Sequence, residues 1–180
     1  MAGDKNNRSL LNHTLMFIVK LLNDNNVSNW FIGYGTLLGI IRENSCIAGD
    51  DDVDIIIDAT DNFKSRSLIN KISLFLKKPL VMGAAIKMQG QVAVFRNDLS
   101  DMPCYNCLYD DIEDEINSCI DLGVLSTLTG MIGSLQATEV IKTLIGFGES
   151  LESKLLLVDL KYMSFRTVKI IKDNKCKVCN

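Results

Sequence analysis

The stretch Val53-Asp-Ile-Ile-Ile-Asp-Ala-Thr-Asp-Asn-Phe63 passes from a run of β-branched residues, through closely spaced aspartates, into a helical pattern. Val53–Ile57 reads as a buried parallel strand. Asp61 is placed to cap a helix over Phe63–Lys77. Pro79–Ile86 follows as a strand, so the unit reads β–α–β. Parallel strands need such a crossover, and strands alternating with helices define an α/β fold. Downstream, Gly90–Phe95 is another strand. Asp98–Asp121 is acidic, lacks basic residues and contains Pro103, which predicts a loop. Gly130–Gly146 predicts a strongly apolar helix carrying Gln136, Glu139 and Lys142. Lys154–Val158 predicts a buried strand. Met163–Ile171, with Phe165, Val168 and Ile170, predicts an antiparallel edge strand and hence a mixed sheet. Upstream, Leu10, Leu11, Leu15, Ile18, Leu21 and Leu22 give Ser9–Asn23 a helical apolar face. Asn29–Gly33 is a short strand candidate, and Gly35–Arg42 a turn into a short helix.

The chain has 180 residues, 47% of them hydrophobic and 23% charged, which predicts a folded globular molecule. Its net charge of −3 gives no general reason to bind nucleic acid. Neither a signal peptide nor a membrane span is expected: Met1–Asn12 is polar, and the uncharged run Leu122–Thr138 is rich in Gly, Ser and Thr. A cytoplasmic, reducing setting is expected. Six cysteines stand against one histidine, His13. That ratio excludes Ser-His-Asp triads, helical zinc-protease motifs and mixed Cys/His fingers, and any metal site must be mostly thiolate.

Cys104-x-x-Cys107 and Cys176-x-x-Cys179 are two CxxC pairs. Each can place two thiolates on one ion, and four thiolates make a closed, structural zinc site. The plainer alternative is two surface turns that do not meet. Cys46 reads as structural. Cys119 has Glu113, Asp114, Glu115 and Asp121 around it, which raise a thiol pKa, so locally it reads as an ordinary loop cysteine. Asp52 and Asp54 share one face of a strand, a spacing that suits a shared ion or, equally, a solvated acidic turn.

Several stretches carry a family pattern, in the family's order and spacing. They are Asp58-Ala-Thr-Asp-Asn-Phe63, Arg66-Ser-Leu-Ile-Asn70, Lys78-Pro-Leu-Val-Met-Gly-Ala84, Gly90-Gln-Val-Ala-Val-Phe95, Pro103-Cys-Tyr-Asn-Cys107, Cys119-Ile-Asp-Leu-Gly-Val124, Gly130-Met-Ile-Gly-Ser-Leu-Gln-Ala-Thr-Glu-Val-Ile-Lys142 and the final CxxC. From about residue 55 to 180 the chain resembles the C-terminal half of the HesA/MoeB/ThiF family, relatives of ubiquitin-activating enzymes. The resemblance implies an incomplete Rossmann-like fold with a four-cysteine zinc site. It implies use of ATP and Mg2+ to adenylate the C-terminal glycine of a ubiquitin-like or sulfur-carrier protein. It places Asp61 and Asn62 at the ATP phosphates and magnesium, Cys104, Cys107, Cys176 and Cys179 on zinc, and Cys119 as the transfer cysteine on a mobile loop. Members commonly dimerise. The family's glycine-rich phosphate loop, ribose-binding acid and Arg/Lys set do not appear, and Gly33-x-Gly35-x-x-x-Gly39 fits a dinucleotide loop poorly. A partner chain is therefore expected to supply the nucleotide half, and a homodimer is the other assembly expected.

Gly35-Thr-Leu-Leu-Gly-Ile-Ile-Arg42, Ile47 and Asp50-Asp-Asp-Val-Asp-Ile55 resemble instead the opening motif of LicD/fukutin-type nucleotidyltransferases, where aspartates hold magnesium. The chain thus reads as a LicD-like fragment, residues 1–57, joined to a ThiF/MoeB-type half, residues 58–180. Three functions follow. The first is ThiF/MoeB-type adenylation and thiol transfer, which needs Asp61 and Cys119. The second is LicD-type nucleotidyl transfer, which needs Asp52 and Asp54. The third is a non-catalytic zinc-stabilised module that binds a ubiquitin-like protein.

Overall fold

The computed structural model describes residues 55–109 and 123–180, together with Lys20. Of the expected helix Ser9–Asn23, Lys20 is described and is helical. The rest of that helix lies outside the described residues, as do the Asn29–Gly33 and Gly35–Arg42 elements. The chain divides into two compact units, Met1–Val53 and Asp54–Asn180, and the second is described by itself.

Strand β1 (Ile56–Asp58) leads through helix α1 (Phe63–Leu76) to β2 (Leu80–Ile86). β1 and β2 pair in parallel with Ile56 opposite Leu80, as the β–α–β pattern requires. β3 (Gln89–Phe95), β4 (Lys154–Asp159) and β5 (Ser164–Lys169) add antiparallel, in the order β1-β2-β3-β4-β5. The result is an α/β fold on a mixed five-stranded sheet. Between β3 and β4 come the short helix α2 (Tyr105–Leu108) and the long helix α3 (Ser126–Ile145).

α3 lies on one face of the sheet. Its Leu128 and Ile132 pack with Val92 and Val158 in a buried cluster. Val92 pairs with Gly83 and Leu156, and Gly90 with Ala85 and Val158; side chains alternate along a strand, so Gly83, Gly90 and Leu156 belong to the same side. A side chain at either glycine would have to displace an α3 side chain. A Cβ on Gly83 would stand 2.3 Å from the Gln136 side chain, and one on Gly90 would stand 2.5 Å from Ile132. The opposite face presents Leu80, Met82 and Phe95, and Phe95 meets the Tyr105 ring edge-on at 6.0 Å.

The structure departs from the sequence expectations at several points. Helix α1 is capped by Asn62, not Asp61: the Asn62 side chain accepts from the Ser65 N–H at 2.8 Å. The predicted acidic loop contains α2, whose geometry is set by the cysteine turn described below. α3 starts at Ser126, ahead of Gly130, because the Leu125 backbone already accepts from Leu128 and Thr129. β4 is only half-buried, since β5 beside it is exposed throughout. Ile57 is 48% exposed, although its run reads as buried. β1 is the sheet's edge among the described residues, while α3 packs over β2 and β3. No helix of the described residues is long and apolar enough to cross a membrane.

Candidate functional site

Two candidate centres lie along α1. The first is the loop from β1 into α1. Asp58 is buried at the end of β1, and its Oδ1 accepts from both the N–H and the Oγ1 of Thr60, each at 2.8 Å. Arg66, one turn inside α1, donates from Nε and Nη2 to the Thr60 carbonyl at 3.1 and 2.5 Å. Every polar atom of Thr60 is thereby held. Asn62 is fixed by its cap, and its Nδ2 donates to Asp61 Oδ1 at 3.2 Å. Asp61, exposed, stands between two anchored residues. Burial pushes the Asp58 carboxyl above its ordinary range, while the Thr60 hydrogen bonds and the Arg66 charge pull it down less strongly. Asp58 Oδ2 is buried and accepts no hydrogen bond. From the α3 side, Gln136 Nε2 donates to the Asp58 carbonyl at 2.9 Å, which ties the loop to the sheet's other face.

The second centre is formed by the CxxC pairs. The sulfurs of Cys104, Cys107, Cys176 and Cys179 all lie within 4.8 Å of one another. Cys104 and Cys176 are 3.8 Å apart, Cys104 and Cys107 4.0 Å, and Cys107 and Cys179 3.5 Å. A tetrahedron with bonds of about 2.3 Å from its centre to sulfur has edges of about 3.8 Å. A disulfide would hold its sulfurs at about 2.05 Å. The four groups therefore meet, which excludes two separate surface turns, and their spacing fits one ion. Burial pushes the Cys104 thiol up. Burial and the neighbouring sulfurs push Cys179 up as well. For Cys176 burial also acts upwards, but N–H groups of Val178 and Cys179 and the nearby thiols outweigh it, and the thiol is lowered. Crowded thiols resist ionising together, and a bound cation removes that resistance.

Asp61 and the cysteines are not brought to one site. Asn62 caps α1, and the residues that reach the cysteine turn are Ser67 and Asn70, the latter about 12 Å further along the helix. Cys119, Cys46, Asp51, Asp52 and Asp54 lie outside the described residues. Sequence reading gave no role to Thr60, Arg66, Asn70, Asn97 and Asn106. A signal was present: Asn62, Arg66 and Asn70 recur every fourth residue, which puts three polar groups on one helix face.

The model of the ThiF family matches residues 37–178. The molybdopterin-synthase adenylyltransferase of Escherichia coli is 40% identical over 126 residues, covering 70% of this chain and 50% of that protein. The sulfur carrier protein adenylyltransferase of Thermus thermophilus is 40% identical over 131 residues, covering 70% and 48%. The adenylyltransferase and sulfurtransferase MOCS3 of Aedes aegypti is 41% identical over 133 residues, covering 72% and 30%. The chain thus spans half or less of the length of these relatives. The crystal structure of E. coli MccB shares the fold, with a TM-score of 0.60 at 15% identity over 93% of this chain and 50% of that one. The family match takes in residues 37–57 and crosses the 57/58 division, and the LicD resemblance gains no support from it. With its paired CxxC turns, its Asp58-x-Thr-Asp-Asn loop and a match over most of its length, the chain belongs to the ThiF family.

Proposed function

We propose that this chain is the carrier-facing half of an ATP-dependent adenylating enzyme. It acts on a sulfur-carrier or ubiquitin-like protein, with the nucleotide half contributed by a partner chain. In that reaction a C-terminal carboxylate oxygen attacks the α-phosphorus of ATP, an acyl-adenylate forms and pyrophosphate leaves. The observation that carries the reading is the anchored Asp61–Asn62 loop. It sits at the carboxyl end of a parallel strand and opens a helix of fourteen residues. Ligands of open α/β sheets bind outside the carboxyl ends of the strands, and the start of a helix favours phosphate. Asp61 would hold Mg2+, which neutralises phosphate charge. Asn62 keeps the helix start in shape beside it. Cys119 would accept the activated acyl group as a thioester, with AMP leaving, in the members that pass it on. The adenylyltransferase names of the relatives support the same reaction class.

The four cysteines would hold Zn2+ as thiolates. With all four positions occupied by protein the ion has no open site, so its role is structural: it fastens the 176–179 turn to the 104–107 turn. Metal analysis of the purified chain tests this, with about one zinc expected. Pyrophosphate exchange into ATP, with a carrier protein ending in Gly-Gly and a partner chain present, tests the reaction. Exchange should be lost in Asp61→Ala. Carrier binding without exchange would point to a non-catalytic module. Nucleotide turnover that survives Asp61→Ala but fails in Asp54→Ala would point to LicD-type chemistry.

A further inference from the structure

Asn70 is wholly buried in the middle of α1, and its amide is spent on the first CxxC turn. Its Nδ2 donates to Asn106 Oδ1 at 2.9 Å. Its Oδ1 accepts from the Tyr105 N–H at 3.3 Å and from Asn97 Nδ2 at 3.1 Å. Tyr105 and Asn106 are the two residues between Cys104 and Cys107. Asn106 in turn donates from Nδ2 to Ser67 Oγ at 3.2 Å, back on α1. The turn itself is closed by the Cys107 N–H donating to the Cys104 carbonyl at 3.0 Å. On the far side, Asn97 donates to Ser73 Oγ at 2.9 Å. One helix face therefore grips both residues that separate two ligands.

Such a grip has a chemical consequence. Ligands held in place before the ion arrives lose less freedom on binding it, and partners behind the ligands orient them. A fully satisfied buried network of this kind is rigid, which suits it to the task.

We propose that Asn70 is a positioning residue of the four-cysteine centre: it holds the Cys104–Cys107 turn in ligating form and so sets how tightly the ion is bound. The inference rests on the zinc reading of that centre. The test loads the full chain with Zn2+ and measures affinity by competition with a chromophoric chelator, then repeats the titration with Co2+ to record the thiolate-to-metal absorption. Asn70→Asp keeps the acceptor for Tyr105 and Asn97 but removes the donor. Asn106→Ala cuts the same link from the other side. Asn97→Ala breaks only the far side. The first two variants should lose about 10–100-fold in zinc affinity and shift the cobalt absorption. Asn97→Ala should lower thermal stability yet leave zinc affinity and the cobalt spectrum unchanged. If Asn70→Asp does not fold, Asn106→Ala decides alone. The inference is overturned if Asn106→Ala binds zinc as the native chain does, or if Asn97→Ala weakens zinc equally. A native chain that takes up neither metal would instead overturn the zinc reading, and this inference with it.

Discussion

Thr60 has its N–H, hydroxyl and carbonyl all engaged by two side chains, Asp58 and Arg66. Removing one jaw should loosen the loop that carries Asp61. Arg66→Ala is expected to cost about 1–3 kcal/mol in urea unfolding, because it strips a charged donor from a buried carbonyl. Exchange activity should fall with it, and Arg66→Lys should recover part of the stability. Asp58 gives a prediction in pH. Burial raises its carboxyl pKa in the folded chain above the unfolded value of about 3.9. The native state then holds the Asp58 proton more tightly, so this group's contribution is full below the unfolded value and is lost as pH rises through the folded one. Asp58→Asn keeps the Oδ1 acceptor and abolishes the titration. Its urea midpoint should equal or exceed the native one at pH 7.5, and the difference should shrink towards pH 4. The two cysteine pairs were legible in the sequence because CxxC spacing is local. Asn70 was marked only by its spacing from Asn62 and Arg66, which shows a shared helix face and no partner. Thr60 and Asn106 were not marked at all: they find their partners only when α1 folds against the sheet and the 104–107 turn docks on it.

At the scale of elements, the meeting of α3 with the sheet depends on the absence of a side chain at position 83. Gly83→Ala would drive a methyl group into Gln136, whose amide donates to the Asp58 carbonyl. The expected loss is about 1–3 kcal/mol, read as a lowered melting temperature. The double variant with Gln136→Ala should lose less than the sum of the single changes, since the clash then has no target. The β–α–β unit was legible because its periodicities are strong and its connection short. The edge position of β5 was legible from its alternation. Its apolar Phe165 and Val168 are both exposed. A period of two says which residues share a face and says nothing about whether another element covers it. The α1 cap shifted by one residue for a related reason. Asp and Asn are both good caps, and the choice went to Asn62, whose backbone is extended at the helix start.

For the whole molecule, the cysteine cluster is the tie between its middle and residues 176–179. Chelation of the proposed zinc should expose residues 170–180 to trypsin at Lys172, Lys175 and Lys177, while β2 and β3, buried at the sheet centre, stay protected. Limited proteolysis with and without chelator checks this, and readdition of zinc should restore resistance. The sheet itself ends, among the described residues, on β5, every residue of which is exposed. Its outer row of backbone groups is a template on which another chain can add in register. Arg166 and Lys169 are the charges along that border, and like charges brought together strand on strand repel. Behaviour in concentrated solution therefore hangs on two cations of one short strand. With both replaced by threonine, β5 should recruit its own kind and give thioflavin-positive fibrils under conditions where the native chain stays clear.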